Sequence, residues 1–442
     1  MRAERVVVGG GFSGLLDAYE ALSRGEAVVV LEASPRLGGV IQPVTVGGVT
    51  VDAGAEAFST VESHVIDLAH RLGLGSDITS PSGLPARVIG PEATTIIPEG
   101  IFGIPRDLDD PILETAVGKE AVLAAQRKDH EPLPTTWTSL TVGEMVRLRL
   151  GEKFLTHLTE PVIAGVHGVG ADHLDAGLIF PQVVKEAMAC GSLVEAVNRV
   201  RGSRPSPGLA IATISGGLFR LTERLAEAVR DAGGQIITGT RVTSLQQVGA
   251  GWSVDTTSHS VTADAVTLAG GPAAQTHLLR SAFRGQVSPP GKTTDTRVVI
   301  ARVESEELSA LPLGTGALVS PERHRTIRAT THLTAKWGFV KDALPSDAHV
   351  VRFTTRSSTT AGCVAITQSG LTDLYGVSDA HITDCVRVSW PGSLVTPHRG
   401  HAQWVQDNAP VWASKGITLR GALVSGNGLL GITHSEQKKD AA

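Results

Sequence analysis

Three consecutive β-branched residues running straight into three glycines restrict this chain more than any other feature. Val6-Val7-Val8 stops at Gly9-Gly10-Gly11-Phe12-Ser13-Gly14. A short apolar run bounded by glycine predicts a buried strand. From Ser13 to Arg24 the apolar positions Leu15, Leu16, Ala18, Tyr19 and Leu22 recur at helical spacing, and Gly25 ends the helix. Ala27 to Leu31 then predicts a second strand. The product is a β-α-β unit with parallel strands and a right-handed crossover. Its turn fits G-x-G-x-x-G. There the first glycine makes the tight turn, the second lets the backbone approach a pyrophosphate, and the third packs helix against strand. The helix amides then face the phosphates. Glu32 follows Gly14 by 18 residues, at the end of the second strand, where a carboxylate can accept from ribose hydroxyls.

The residues after Glu32 bear on which dinucleotide is held. Ala33-Ser34-Pro35-Arg36-Leu37-Gly38-Gly39 places an arginine and two glycines beside the expected pyrophosphate. An arginine supplies charge-assisted hydrogen bonds, and glycine permits close backbone approach. NAD domains do not need this extension. A later strand, Ala265 to Leu268, ends in Ala269-Gly270-Gly271-Pro272 rather than in another G-x-G-x-x-G. One nucleotide site without a separate NAD(P)H domain points to FAD.

At 442 residues, two or three domains are expected. The formal net charge of −5, without a long basic run, argues against nucleic acid as a partner. Cys190, Cys363 and Cys385 lie far apart in sequence, so no C-x-x-C pair is available and buried thiols are expected. No apolar run reaches the roughly 18–20 residues of a membrane span. Met1 to Arg5 leads into a strand without a cleavage-type sequence, so a cytoplasmic location is expected. Pro- and Gly-rich residues 81–106 predict short strands and turns. The pattern then turns helical over 107–204, with Leu123 to Ala125, Val142 to Leu150 and Val183 to Val197 as helices. Ser203 to Gly208 reads as a linker-like break. Gly216-Gly217-Leu218 opens another helix, and strands are expected at 235–237, 252–255 and 265–268. Strands of a separate sheet are expected at 297–303, 317–320, 327–331 and 349–354, with strand-plus-glycine sequence over 416–433.

The stretch Val6 to Phe58, including Asp52-Ala53-Gly54-Ala55-Glu56-Ala57-Phe58, resembles the flavin amine oxidase superfamily. Ile101 to Pro105, Glu160 to Val166, Gly191-Ser192-Leu193, Gly216-Gly217-Leu218, Ala335-Lys336-Trp337 and Trp390-Pro391 narrow the resemblance. They are similar to the protoporphyrinogen/coproporphyrinogen III oxidases of heme synthesis, actinobacterial type. The resemblance implies an α/β fold: a Rossmann-type FAD-binding domain, a mixed-sheet substrate domain and a helical middle domain. It places the first at 1–80, 205–272 and 395–442, the second at 81–106 and 273–394, and the third at 107–204. It implies non-covalent FAD and oxidation of a porphyrinogen by dioxygen, with coproporphyrinogen III favoured over protoporphyrinogen IX. The implied cofactor contacts begin with Gly9, Gly10, Gly11, Phe12, Ser13, Gly14, Glu32, Ala33, Arg36, Leu37, Gly38, Gly39 and Val40. They continue with Ala55, Glu56, Val242, Trp390, Gly426, Asn427, Gly428 and Leu429. No catalytic side chain is singled out.

The chain departs from the family pattern in three places. Gly428-Leu429-Leu430-Gly431 lacks a proline that relatives carry, Arg420 interrupts a strand that is usually small and apolar, and Ser59-Thr60-Val61-Glu62 stands where relatives tend to carry arginines. Two rival readings stay open. One is another flavin amine oxidase relative acting on an amine or polyene, against which the presence of only two tyrosines argues. The other is a degenerate paralogue that binds FAD or porphyrin without turnover, as a carrier or a partner of a ferrochelatase. Arg323, Arg325, Arg328, Arg352 and Arg356 give the expected substrate domain cations that match carboxylate geometry; for each one alone, a solvated face is the commoner case. Lys336 could orient water or substrate, although a surface lysine is commoner. The histidines (His64, His70, His167, His173, His398, His401) lack metal-ligand spacing, so no metal is expected. There is no G-x-S-x-G elbow. Peripheral contact with a membrane surface is left open.

Overall fold

The computed structural model describes residues 1–202, 210–283, 287, 291–356, 360–396 and 400–433. β1 (Arg2–Val8), α1 (Phe12–Ser23) and β2 (Val28–Leu31) form the expected unit, and β1 pairs in parallel with β2, Val8 opposite Leu31. Ser260–Leu268 runs parallel along the other edge of β1, and Gln235–Ile237 lies outside β2. Ile417–Leu419 adds a further parallel strand, while Gly251–Thr256 and Val242–Val248 join antiparallel. Val7 and Val30 pack against α1 residues Ala18 and Ala21; Val6 and Val8 face the other way, among Trp252 and Trp412. Because both faces are covered there, Val6 to Val8 of β1 are apolar without alternation.

A second seven-stranded sheet runs, in spatial order, His381–Val395, Thr293–Glu304, Ala348–Thr355, Ile327–His332, Gly316–Val319, Arg87–Ile89 and Thr94–Ile96. On one face Val299, Ala301, Val351 and Phe353 pack with Tyr375 and the helix Cys363–Gly370. On the other, Val298, Ile300 and Val350 pack with Trp337 and the hairpin Pro43–Val46/Val49–Asp52. That hairpin comes from the chain just beyond β2, so this second face looks toward the nucleotide-type sheet. A third core, including Leu113, Val146, Phe154, Ile163, Val183 and Val197, holds the helices between Ile112 and Arg201 together. The fold is therefore a Rossmann-type unit with a mixed-sheet part and a helical part.

Several elements differ from expectation. Val183 to Val197 is two helices, Pro181–Cys190 and Leu193–Arg201. Gly191 at φ 77° ends the first, and Ser192 caps the second with its hydroxyl. The strand His381–Val395 went unpredicted because it is a half-exposed edge, interrupted by Pro391 and by Gly392 at φ 57°. Val242–Val248 is mostly exposed and polar and carries little apolar signal. The tail beyond Ile417–Leu419 is helical at Ala422–Ser425 and 429–433 rather than extended. Ser203 to Gly208 and His398 lie outside the described residues. Cys363 and Cys385, distant in sequence, are neighbours. Burial and the adjacent Cys385 push the Cys363 thiol up to about 12. No helix among the described residues is long and apolar enough to cross a membrane.

Candidate functional site

The glycine turn and the segment after Glu32 form one cradle. Gly9 adopts φ 113° and lies against Gly270, where a Cβ would sit 2.7 Å from the Gly270 nitrogen. At Gly14 a Cβ would fall 1.9 Å from the Gly9 carbonyl oxygen, so no side chain fits between helix and strand. The Gly38 amide donates to the Gly10 carbonyl at 2.8 Å, and Gly11 bridges Gly38. Gly39 packs on Gly11, and Leu37 lies over Gly10. The loop carrying Ala33, Arg36, Leu37, Gly38 and Gly39 is thus laid along the turn Gly9 to Gly14. α1 begins at Phe12 with no side-chain cap and no acidic residue in its first turn. Its first amides, those of Phe12, Ser13 and Gly14, have no intrahelical acceptor, and the helix dipole adds positive charge there. Arg36 is exposed on the neighbouring loop.

Glu32 sits beside this turn. Its two carboxylate oxygens accept from the Gly10 amide and the Ser34 amide, both at 2.7 Å. Each oxygen keeps a lone pair for a further donor. The Thr240 amide donates to the Glu32 carbonyl at 2.8 Å, bringing the turn before Val242 alongside.

The far end of the cradle lies between the sheets. The Ala55 amide donates to the Val40 carbonyl at 3.2 Å. Gly54 lies under Trp390, whose indole Nε1 would be 3.2 Å from a Cβ there and is enclosed without an acceptor. Glu56 receives Lys336 Nζ at 2.6 Å on one oxygen and faces Arg352 at 3.5 Å on the other. Burial opposes its charge, but Lys336 and Arg352 outweigh burial and hold the carboxyl below its usual range. Lys336, expected as a surface residue, is instead enclosed and tied to Glu56, 5.0 Å above the Trp337 ring. Asp52 accepts from the Leu218 and Phe219 amides at 2.8 and 2.9 Å, at the start of the helix Phe219–Asp231. Burial nevertheless pushes its carboxyl up to about 7.

The C-terminal loop closes the third side. Asn427 accepts from the Val395 amide at 2.8 Å and donates to its carbonyl at 2.9 Å. Leu429 packs with Phe12 and Leu15. Gly426 adopts φ 80°, and Gly428 has no atom within 4 Å of a Cβ position. Arg420, the departure noted above, is buried and donates to Asp17 of α1 at 2.9 Å. It anchors this segment to α1.

The five arginines separate. Arg323 and Arg325 are exposed, whereas Arg328 is only 6% exposed. Arg352 pairs in register with Ile300, on the face turned toward the cradle. Arg356 donates to the Val319 carbonyl at 3.1 Å; burial lowers its pKa, and Glu160 offsets only part of that. Neither tyrosine reaches this face: Tyr19 is in α1, and Tyr375 is buried behind the second sheet, bonded to Thr330 at 2.8 Å. Trp404 and Trp412 pack on each other. No group of three or more His, Cys, Asp or Glu side chains among the described residues could hold a metal ion. Phe102, at φ 50°, stacks on His167 with ring centroids 5.5 Å apart. That contact and the Glu56–Lys336 pair join residues too distant in sequence for any spacing rule.

A profile described as "Flavin containing amine oxidoreductase" matches residues 12–300, well over half of the chain. The chain belongs to this family. A second profile, "FAD dependent oxidoreductase", matches residues 218–410. The protein is an FAD-dependent oxidoreductase, and the cradle contains what FAD requires: unsatisfied helix amides, glycine clearances and an acidic residue after the second strand. The chain is 28% identical to coproporphyrinogen III oxidase of Mycobacterium leprae, over 91% of its own length and 89% of that protein's. It is 24% identical to coproporphyrinogen III oxidase of Bacillus subtilis, over 96% and 94%. Among solved structures, the "Putative protoporphyrinogen oxidase" of Exiguobacterium sp. 255-15 superimposes with a TM-score of 0.83 at 25% identity, covering 99% of this chain and 97% of that one. Cyclohexylamine oxidase of Brevibacterium oxydans shares the fold, with a TM-score of 0.68 at 18% identity, covering 99% and 98%.

Proposed function

We propose that this flavoprotein oxidises a porphyrinogen to its porphyrin in heme biosynthesis, with coproporphyrinogen III preferred to protoporphyrinogen IX and dioxygen as the final acceptor. The observation that carries the reading is the charge of the wall opposite the cradle. Arg328 and Arg352 stand on or beside one face of the second sheet, and no tyrosine does. An ammonium substrate would meet like charge there, whereas a polycarboxylate would be attracted. The full-length similarity to coproporphyrinogen III oxidases supports the same substrate class.

When bound, FAD supplies a two-electron hydride acceptor that dioxygen can reoxidise. The amides of Phe12, Ser13 and Gly14, with Arg36, would hold the pyrophosphate, and Glu32 would accept from the ribose hydroxyls. Gly54, Ala55 and Trp390 would border the ring system, with the loop Gly426 to Leu429 on its other flank. Glu56 orients Lys336 and Arg352 across the junction of the two sheets. Conversion of porphyrinogen to porphyrin removes six electrons and six protons in three two-electron steps. Each step consumes one dioxygen and releases one hydrogen peroxide.

Anaerobic mixing of the oxidised holoenzyme with each porphyrinogen tests the reading. Flavin bleaching with growth of porphyrin fluorescence is expected, faster with coproporphyrinogen III. A flavin that stays oxidised with both substrates would refute it.

A further inference from the structure

Arg328 has the environment of a residue awaiting an anion. Its guanidinium is buried, and its Nε is enclosed without an acceptor. Among the described residues no carboxylate pairs with it, and the charged groups acting on it are two more cations, Arg356 and Arg352. Carboxylates are available nearby but are engaged elsewhere. Glu56 takes Lys336 and faces Arg352, while Glu160 accepts from the Ala171 amide at 2.8 Å. A buried cation left this way costs several kcal/mol unless something neutralises it.

A glycine faces Arg328 as well. Gly168 ends the helix Glu160–His167 at φ 74°. A Cβ there would lie 2.9 Å from Arg328 Nη1, 2.9 Å from Thr294 Oγ1 and 3.5 Å from Leu394 Cδ1. Thr294 and Leu394 pair in register, on strands two and three positions away from Ile327–His332. The Thr294 hydroxyl is enclosed and has no hydrogen-bond partner among the described residues. A guanidinium and a hydroxyl, both unsatisfied and both facing one glycine, form a donor pair for a single carboxylate.

We propose that Arg328 and Thr294, over Gly168, form a carboxylate subsite that takes one propionate of the tetrapyrrole and sets its orientation in the cleft. This rests on the porphyrinogen reading above and adds to it the group that is recognised. Burial, and then Arg356 and Arg352, lower the pKa of Arg328, and a bound carboxylate would relieve that strain. Arg328 is a positioning residue in this role, since it binds the periphery of the substrate and not the reacting carbons.

The test uses FAD-loaded wild type, Arg328→Met, Arg328→Lys and Thr294→Val. Coproporphyrin III and its tetramethyl ester are titrated against each by flavin-fluorescence quenching, and coproporphyrinogen III turnover is measured in parallel. In Arg328→Met, affinity for the acid should fall about 10- to 100-fold, as for loss of one charged hydrogen bond, with the ester unchanged. KM should rise by a similar factor, with kcat changing little. Arg328→Lys should recover part of the loss, and Thr294→Val should lose several-fold. Equal weakening of acid and ester, undiminished acid binding in Arg328→Met, or no binding of coproporphyrin III to wild type would overturn the subsite. A wild type that prefers the acid through Arg328 yet leaves every porphyrinogen unoxidised would refute the proposed reaction and keep the subsite. Turnover that is indifferent to Arg328 would do the reverse.

Discussion

Replacing Lys336 with methionine isolates Glu56, an enclosed carboxylate that joins the two sheets. Glu56 is 13% exposed at its side chain and Lys336 is 14% exposed, with 2.6 Å between charged atoms. Removing one partner of a buried pair costs about 3–5 kcal/mol, because the other charge is left uncompensated. Arg352 remains, 3.5 Å from the second oxygen. We therefore expect a loss of about 2–3 kcal/mol, toward and below the lower end of that range. The pH dependence identifies the cause. In wild type burial opposes the charge of Glu56, yet Lys336 and Arg352 hold its folded-state pKa below the usual carboxylate value. Its contribution to stability is therefore present above that value and is lost as pH falls through the folded one. Without Lys336, burial is opposed by Arg352 alone, so the carboxyl moves upward and its contribution reverses sign. The deficit of Lys336→Met should then be largest near pH 7–8 and shrink as the pH is lowered toward about 4. Urea midpoints of FAD-saturated protein across that range measure it, and adding Glu56→Gln should restore part of the loss. A deficit independent of pH, or a double variant no better than the single one, would refute the argument.

Three further outcomes follow from the same geometry. Gly14→Ala places a Cβ 1.9 Å from the Gly9 carbonyl; the helix must shift, and the purified variant should be colourless, or release FAD on gel filtration where wild type stays yellow. Glu32→Ala frees the Gly10 and Ser34 amides and removes the ribose acceptor; FAD affinity should fall about 10- to 100-fold in fluorescence titrations of apoprotein. For Asp52, burial raises the folded-state pKa from 3.8 to about 7; its contribution to stability is full below about pH 4 and is lost as pH rises through 7. Asp52→Asn should remove that slope, so the variant's melting temperature should gain on wild type between pH 5 and 8.

The cradle was legible because its parts are local. Val6 to Gly14 and Glu32 to Gly39 each encode backbone geometry within a few residues, and the structure lays one segment along the other through Gly10, Gly11 and Gly38. The inner wall was not legible in the same way. Arg323, Arg325 and Arg328 lie within six positions of one another, yet only Arg328 is buried. Arg323 and Arg325 lie in the turn before the strand Ile327–His332, whereas Arg328 lies within it, a difference that composition does not announce. Lys336 read as a surface residue because its partner, Glu56, is 280 positions away in sequence. The edge strand His381–Val395 was hidden by solvent exposure, although it supplies Trp390 to the site.

Two kinds of positive potential thus stand on the two sides of the candidate site, and they differ in what they can bind. At α1 the potential comes from backbone amides and a helix dipole, which are fixed by glycines and bind phosphate at close range. On the other side it comes from arginines on the second sheet, whose reach and planarity suit carboxylates. Glu56 engages Lys336 and Arg352, and so sets how much cationic charge remains for a substrate. With one carboxylate facing two cations, and Arg328 without a carboxylate partner among the described residues, the proposed substrate side is positive at neutral pH. On the proposed function, a substrate bearing several carboxylates would be attracted to that charge at a distance and held by it on arrival. An amine must overcome it, so a panel of primary amines should release no more peroxide than buffer, and robust turnover of any one would defeat the electrostatic argument.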